Sequence, residues 1–234
     1  SALDSKSAMS EGYRTVRTNL KYINVDDPVS ALVITSAAPG EGKSIVACNL
    51  AIAAAQADRK VCLVESDLRR PRVTEYLQIP EASGLTEVLA GQIELDDALR
   101  DWGHGLLTVL PPGAIPPNPS EILGSLQMAQ TISNLKAKFD LVILDTPPLL
   151  AVSDAAVLAS QTDGAIVVVR HGGTSRDAVS NAVAALNQVN ARILGTVLNA
   201  VPAKRGYGYG YGYGYDAEKG NQPPVAAAEG ATRA

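Results

Sequence analysis

Eight consecutive residues, Ala37-Ala38-Pro39-Gly40-Glu41-Gly42-Lys43-Ser44, join an apolar run to an alanine-rich helical pattern. Their types suit the grip of a polyphosphate. Gly40 and Gly42 let backbone N–H groups approach an anion closely, and a helix opening directly afterwards adds donors and the positive end of its dipole. In that setting Lys43 reaches the β- and γ-phosphates and the Ser44 hydroxyl ligates Mg2+. The general pattern has a further glycine five residues before Gly42; Ala37 stands there, and Pro39-Gly40 still supplies the turn. The plainer alternative is a glycine turn that opens an ordinary helix. Two acid-ended runs accompany the loop. Leu63-Val64-Glu65-Ser66-Asp67 carries acids at alternate positions, which a strand directs to one side, although Asp67 also suits a cap on the next helix. Leu141-Val142-Ile143-Leu144-Asp145 ends in a carboxylate ahead of Thr146-Pro147-Pro148, and beside a phosphate loop such an acid holds Mg2+ through water.

These groups need elements to position them. Strands are expected over Ala31–Ser36, Lys60–Glu65, Leu106–Leu110, Leu141–Asp145, Gly164–Arg170 and Ile193–Leu198. Helices are expected over Ser10–Ile23 with Ser10 as N-cap, Ser44–Ala57, Gly84–Ala90, Glu94–Arg100, from a Ser120 cap to Lys138 with a break, Ser153–Ser160 and Thr174–Val189. Pro111 to Pro119 holds five prolines and reads as a loop. Strands that are apolar throughout and alternate with helices imply an α/β fold, a mostly parallel sheet covered by helices on both faces, with ligands bound at the strands' carboxyl ends. The division this implies is an N-terminal helical segment over 1–30, a phosphate-loop domain over 31–202 and a flexible tail over 203–234.

The 234 residues are 46% hydrophobic and 19% charged, enough for a sizeable core. A formal net charge of −4 argues against binding nucleic acid by bulk basicity. Cys48 and Cys62 lie in apolar elements and read as buried, reduced thiols; with His104 and His171 far apart, they do not suggest a zinc site. No apolar run approaches the ~18 residues of a membrane span, and no signal peptide is seen, so a cytoplasmic location is expected. Aromatic residues make up only 4%, yet five of the eight tyrosines, Tyr207, Tyr209, Tyr211, Tyr213 and Tyr215, crowd into nine residues. Gly-Tyr alternation has no apolar face to bury; it suits either an extended substrate or an aromatic self-association element. Glu11, Arg14 and Arg17 recur at steps of three, which on a helix makes either a solvated ion-pair row or a contact face. Arg69, Arg70 and Arg72 make a basic turn that is either solvated or able to attract an anionic group, a phosphotyrosine or an acidic partner.

Taken together, the motifs resemble the bacterial tyrosine kinases, which belong with the MinD/ParA-like P-loop ATPases. Pro39-Gly40-Glu41-Gly42-Lys43-Ser44 looks like the family's Walker A, Glu65-Ser66-Asp67-Leu68-Arg69 like its second acidic motif with Glu for the usual first Asp, and Leu144-Asp145-Thr146-Pro147-Pro148 like its Walker B. Asn118-Pro119-Ser120-Glu121 resembles another of its segments. The resemblance covers about residues 10–215. It implies ATP and Mg2+ as cofactors, held by Gly40, Glu41, Gly42, Lys43, Ser44, Ile45 and the adenine-reading Asn199, with Ser44, Asp67 and Asp145 around the metal and Lys43, Asp67 and Asp145 as catalytic residues. It further implies autophosphorylation of Tyr207, Tyr209, Tyr211, Tyr213 and Tyr215, and ring assembly, an octamer in the family, through Glu11, Arg14 and Arg17. Expected partners are a membrane adaptor of the polysaccharide co-polymerase type, fused or separate, and a phosphotyrosine phosphatase, with no nucleic acid; the expected place is the inner face of the plasma membrane. The start at Ser-Ala-Leu leans toward an excised fused domain. The competing reading is a MinD/ParA-like switch whose phosphoryl acceptor is water.

Overall fold

The middle of the sheet grows from runs too apolar to face water on either side. In the computed structural model, which describes residues 8–23, 28–80, 82–103 and 105–202, seven strands take the order β3-β4-β2-β5-β1-β6-β7. They are β1 (Ala31–Ser36), β2 (Val61–Glu65), β3 (Arg100–Trp102), β4 (Leu107–Leu110), β5 (Leu141–Asp145), β6 (Ala165–Arg170) and β7 (Ile193–Asn199). All neighbours are parallel except β3 and β4. Strand alternation divides the core in two. Ala31, Val33, Val142 and Leu144 face one apolar cluster, and Leu32, Ile34, Leu141 and Ile143 face the other.

Helices cover both clusters. The described helices are α1 (Ala8–Tyr22), α2 (Lys43–Ala55), α3 (Val73–Leu77), α4 (Leu85–Leu89), α5 (Leu95–Ala98), α6 (Pro119–Leu123), α7 (Leu126–Lys138), α8 (Asp154–Ser160) and α9 (Arg176–Gln188). Helix α2 is the alanine-rich segment, and Val46, Ala47, Leu50 and Ala51 lie wholly inside the second cluster. Small side chains let this helix sit close over the sheet, so its first turn meets the end of β1.

Several local expectations need correction. Helix α1 already includes Ser10, which is buried rather than capping. The cap of α6 is Asn118 with Pro119 at the first helical position, because the Ser120 hydroxyl is used elsewhere. Helix α3 and the edge strand β3 were not expected at all; both are short, and Arg100-Asp101-Trp102 has no apolar alternation to reveal a strand. The proline loop is tied down. Glu87 accepts hydrogen bonds from the Gly84 N–H at 2.7 Å and the Ala114 N–H at 2.9 Å. A Cβ on Gly84 would meet the Pro111 carbonyl oxygen at 2.1 Å, so only glycine permits that approach.

Candidate active site

The strand order decides the site. Strand β5 lies between β1 and β2, with Asp145 level with Ile34 on one side and Glu65 on the other. The phosphate loop leaves β1 and the second acidic motif leaves β2, so both converge on Asp145. The turn after β5 is bonded into this arrangement: the Thr35 hydroxyl donates to the Pro147 carbonyl at 2.9 Å and the Leu149 N–H to the Ser36 carbonyl at 2.8 Å. A cleft of about 770 Å3 results, lined among others by Gly40, Gly42, Lys43, Ser44, Ile45, Asp67, Arg69, Arg70, Tyr76, Pro147 and Pro148.

The loop is built to receive an anion. Gly42 (φ 93°) caps α2 in the left-handed region and supplies no capping side chain. Among the described residues, the backbone N–H groups of Glu41, Gly42, Lys43 and Ser44 donate to no backbone carbonyl. Four donors at a helix start with no protein acceptor fit a phosphate group. Lys43 Nζ lies 2.8 Å from Asp67 Oδ2 and 3.3 Å from Ser44 Oγ. Burial works against its charge, but the carboxylates of Asp145 and Asp67 outweigh that and hold the ammonium above the usual lysine range.

Asp145 is wholly buried, and among the described residues neither of its carboxylate oxygens has a hydrogen-bond partner of ordinary geometry, although Ser44 and Glu65 approach closely enough to steady its charge. Burial lifts its pKa to about 6, even with Lys43 pulling it down. Two orphaned buried oxygens close to Ser44 and Lys43 fit a divalent cation, whose charge offsets the desolvation. Asp67 both pairs with Lys43 and caps the following turn: its Oδ1 accepts the N–H groups of Arg69 at 3.3 Å and Arg70 at 3.0 Å. Glu65 departs from the expectation that it shares the cleft with Asp67. It is fully buried, and its Oε2 accepts the N–H groups of Arg72, at 2.7 Å, and Val73, opening α3. Strand β2 ends at Glu65, so the alternation that would have aligned it with Asp67 no longer applies. Burial and the adjacent Asp145 raise the Glu65 pKa well above the usual carboxylate range.

Residues 29–198 match a family described as an AAA domain. The chain is 41% identical over 196 residues to the tyrosine-protein kinase YwqD of Bacillus subtilis, a match spanning 84% of this chain and 83% of that one. This chain belongs to the bacterial tyrosine-protein kinases. It is also 38% identical to the tyrosine-protein kinase Etk of Escherichia coli over 191 residues, 82% of this chain but 26% of Etk. The solved kinase domain of Escherichia coli ETK superposes with a TM-score of 0.81 at 35% identity, covering 89% of this chain and 83% of that one. The cell-division ATPase MinD of Pyrococcus furiosus is a more distant neighbour, with a TM-score of 0.62 at 28% identity, covering 72% and 71%.

The basic turn of the kinase splits three ways. Arg69 turns to Asp154, a wholly buried carboxylate, with its Nε at 2.9 Å from Oδ2; Ser120 donates to the other oxygen of Asp154 at 2.5 Å and accepts from Arg69 at 2.9 Å. Arg72 pairs with Glu75. The Arg70 side chain has no ion-pair partner among the described residues and lines the cleft. In α1, Glu11 and Arg14 pair at 2.9 Å, whereas Arg17 leaves their row and donates to the Ala53 carbonyl of α2 at 3.1 Å.

Asn199 stands at the end of β7, with its amide on the phosphate loop: Nδ2 donates to the Glu41 carbonyl at 2.9 Å. Sequence reasoning missed Asp154, Arg170 and Thr174. A buried acid at a helix start looks like an ordinary N-terminal acid, and the polar residues after β6 look like any solvated loop. Tyr207, Tyr209, Tyr211, Tyr213 and Tyr215 lie outside the described residues. No helix among the described residues is long and apolar enough to cross a membrane.

Proposed function

We propose that this kinase transfers the γ-phosphoryl group of ATP to its own tyrosine cluster, Tyr207, Tyr209, Tyr211, Tyr213 and Tyr215, acting on a neighbouring copy within a ring. The observation that supports this reading is the convergence of Lys43, Ser44, Asp67 and Asp145 on one cleft in a chain that also carries five tyrosines in nine residues. Bound Mg2+–ATP supplies the phosphoryl group and the divalent charge that lowers its repulsion toward an incoming oxygen. Ser44 and Asp145 hold the metal, and the loop N–H groups of Glu41 to Ser44 hold the phosphates. Lys43 neutralises negative charge at the phosphates. Asp67 orients the tyrosine hydroxyl and accepts its proton, because a phenol with pKa ~10 needs a base in reach at neutral pH. Positioning and charge neutralisation carry most of the rate, with little covalent work for the protein.

On this reading Glu11, Arg14 and Arg17 contribute to the contact between copies, with one Arg17 nitrogen also bracing α1 on α2. The kinase works at the membrane through an adaptor, fused or separate, and is opposed by a phosphotyrosine phosphatase. Its phosphorylation cycle regulates capsular or extracellular polysaccharide synthesis and export.

Incubation with γ-labelled ATP and Mg2+, followed by mapping of the label, tests the reading. Label is expected on the 207–215 cluster and is expected to fall about 100-fold or more in Lys43→Met. Free phosphate with an unlabelled protein would instead favour a MinD-like ATPase switch.

A further inference from the structure

Side chains from the ends of β6 and β7 hold the phosphate loop, and neither of them lines the cleft that Gly40 and Gly42 line. Arg170, the last residue of β6, donates from Nη1 to the Gly40 carbonyl at 2.8 Å. Asn199, the last residue of β7 and level with Arg170 in the parallel pairing, donates to the Glu41 carbonyl at 2.9 Å. Among the described residues every peptide bond is trans, so the N–H of each peptide points away from its carbonyl. Drawing the Gly40 carbonyl outward therefore turns the Glu41 N–H inward, and drawing the Glu41 carbonyl outward turns the Gly42 N–H inward. These are two of the four donors that have no backbone acceptor.

The Glu41 side chain repeats the tie. It is nearly buried, and its carboxylate accepts from the Ala38 N–H at 3.1 Å and from the Thr174 hydroxyl. Thr174 in turn accepts from the Arg170 N–H at 2.8 Å. The ties oppose an intrinsic looseness. Gly40 and Gly42 sit at φ 80° and 93°, conformations that glycine enters and leaves at little cost. The same freedom that allows the cradle to form also lets its peptide planes rotate, unless something outside the loop holds them.

We propose that Arg170, Thr174 and Asn199 are positioning residues for phosphoryl transfer. They fix the Gly40–Glu41 and Glu41–Gly42 peptide planes with N–H groups toward the phosphates, and they set nucleotide affinity without touching the nucleotide. The proposal rests on the loop being the phosphate cradle and is independent of which hydroxyl receives the phosphoryl group. It also gives Asn199 a different task from reading adenine.

The test uses the full chain, with titration of Mg2+–ADP and Mg2+–GDP and thermal unfolding without nucleotide. Arg170→Met and Asn199→Ala should each weaken both nucleotides about three- to tenfold, the loss of one hydrogen bond each. The ratio of ADP to GDP affinity should stay constant, and the nucleotide-free melting temperature should stay within about 4 °C of the parent, the cost of one hydrogen bond. Arg170→Lys, which keeps a donor, should remain within about twofold of the parent. Four results would overturn the proposal: unchanged affinities, losses that follow a fall in nucleotide-free stability, Arg170→Lys as weak as Arg170→Met, or a collapse of the ADP to GDP ratio in Asn199→Ala. The last would return Asn199 to the base. Absence of label on the tyrosine cluster, with these affinities as expected, would sink the kinase acceptor assignment and leave the cradle intact.

Discussion

Asp145 has a cost that its surroundings only partly offset. The unfolded carboxyl releases its proton near pH 4, and the folded one near pH 6, because burial disfavours its charge. Between those values the folded state holds the extra proton, so stability falls as pH climbs from about 4 to about 6 and stays at the lower level above. Asp145→Asn should therefore raise stability in metal-free buffer at pH 7.5 by about 1–3 kcal/mol, read as a higher melting temperature. The advantage should shrink toward pH 4 and vanish near about pH 3, where both states of the parent are protonated. The same variant should lose the stabilisation that Mg2+ with nucleotide confers on the parent. A melting temperature below the parent's at pH 7.5 would show that the carboxylate is a structural member rather than a group held in reserve for a cation. The acid was visible in the sequence; its isolation between two strands was not, because that depends on which strands flank β5.

At the scale of elements, the site depends on β1 leaving the sheet at the right height. Asp163 sets the other end of that strand. Its Oδ2 accepts from the Ser30 N–H at 2.8 Å, the Ser30 hydroxyl at 2.9 Å and the Ala31 N–H at 2.8 Å, while Oδ1 pairs with Lys136. Partial burial alone would raise its pKa, but Lys136 and the three donors outweigh burial and hold it below the ordinary value. A depressed carboxyl stabilises the fold above the unfolded pKa, and that stability is lost as pH falls through the lower folded value. Asp163→Ala should cost about 1–3 kcal/mol at pH 7, measured as a lower urea midpoint, with the gap to the parent narrowing below pH 4. Little change at pH 7 would mean that strand pairing alone fixes β1. Strands 31–36 and 141–145 could be read residue for residue, because a parallel strand buried on both faces is a closed apolar run. Strand β3 could not, because it is three residues long, antiparallel and at the edge.

At the scale of the molecule, the proposed modification of the tail is above all a change of charge. Five phosphotyrosines add roughly −7 to −10 charges to nine residues, against a net charge of −4 for the whole chain. On the proposed cycle, repulsion among modified tails loosens a ring that forms when they are unmodified. Replacing Tyr207, Tyr209, Tyr211, Tyr213 and Tyr215 by Phe should bring phosphotyrosine nearly to zero. It should also leave the assembly intact when Mg2+–ATP is added, as read by light scattering. If the all-Phe chain dissociates under ATP as the parent does, the charge account fails. Helix α1 bears on the same question from the other end. Glu11 and Arg14 pair with each other, and Arg17 ties the motif to α2 through one bond from its guanidinium to the Ala53 carbonyl.

Residue types and order were enough to identify a phosphate loop, two acid-ended motifs and a parallel α/β sheet, because each is a local property: glycine where a left-handed turn is needed, apolar runs where both faces are covered, a carboxylate where a strand stops. Which acid faces the cleft was not local. Glu65 and Asp67 look equivalent in the chain, yet one caps α3 and the other meets Lys43, because the strand ends between them and the alternation stops. The ties of Arg170, Thr174 and Asn199 to the loop were equally hidden. They join positions some 130 to 160 residues apart, brought together only because β6 lies beside β1 and β7 beside β6 in the sheet.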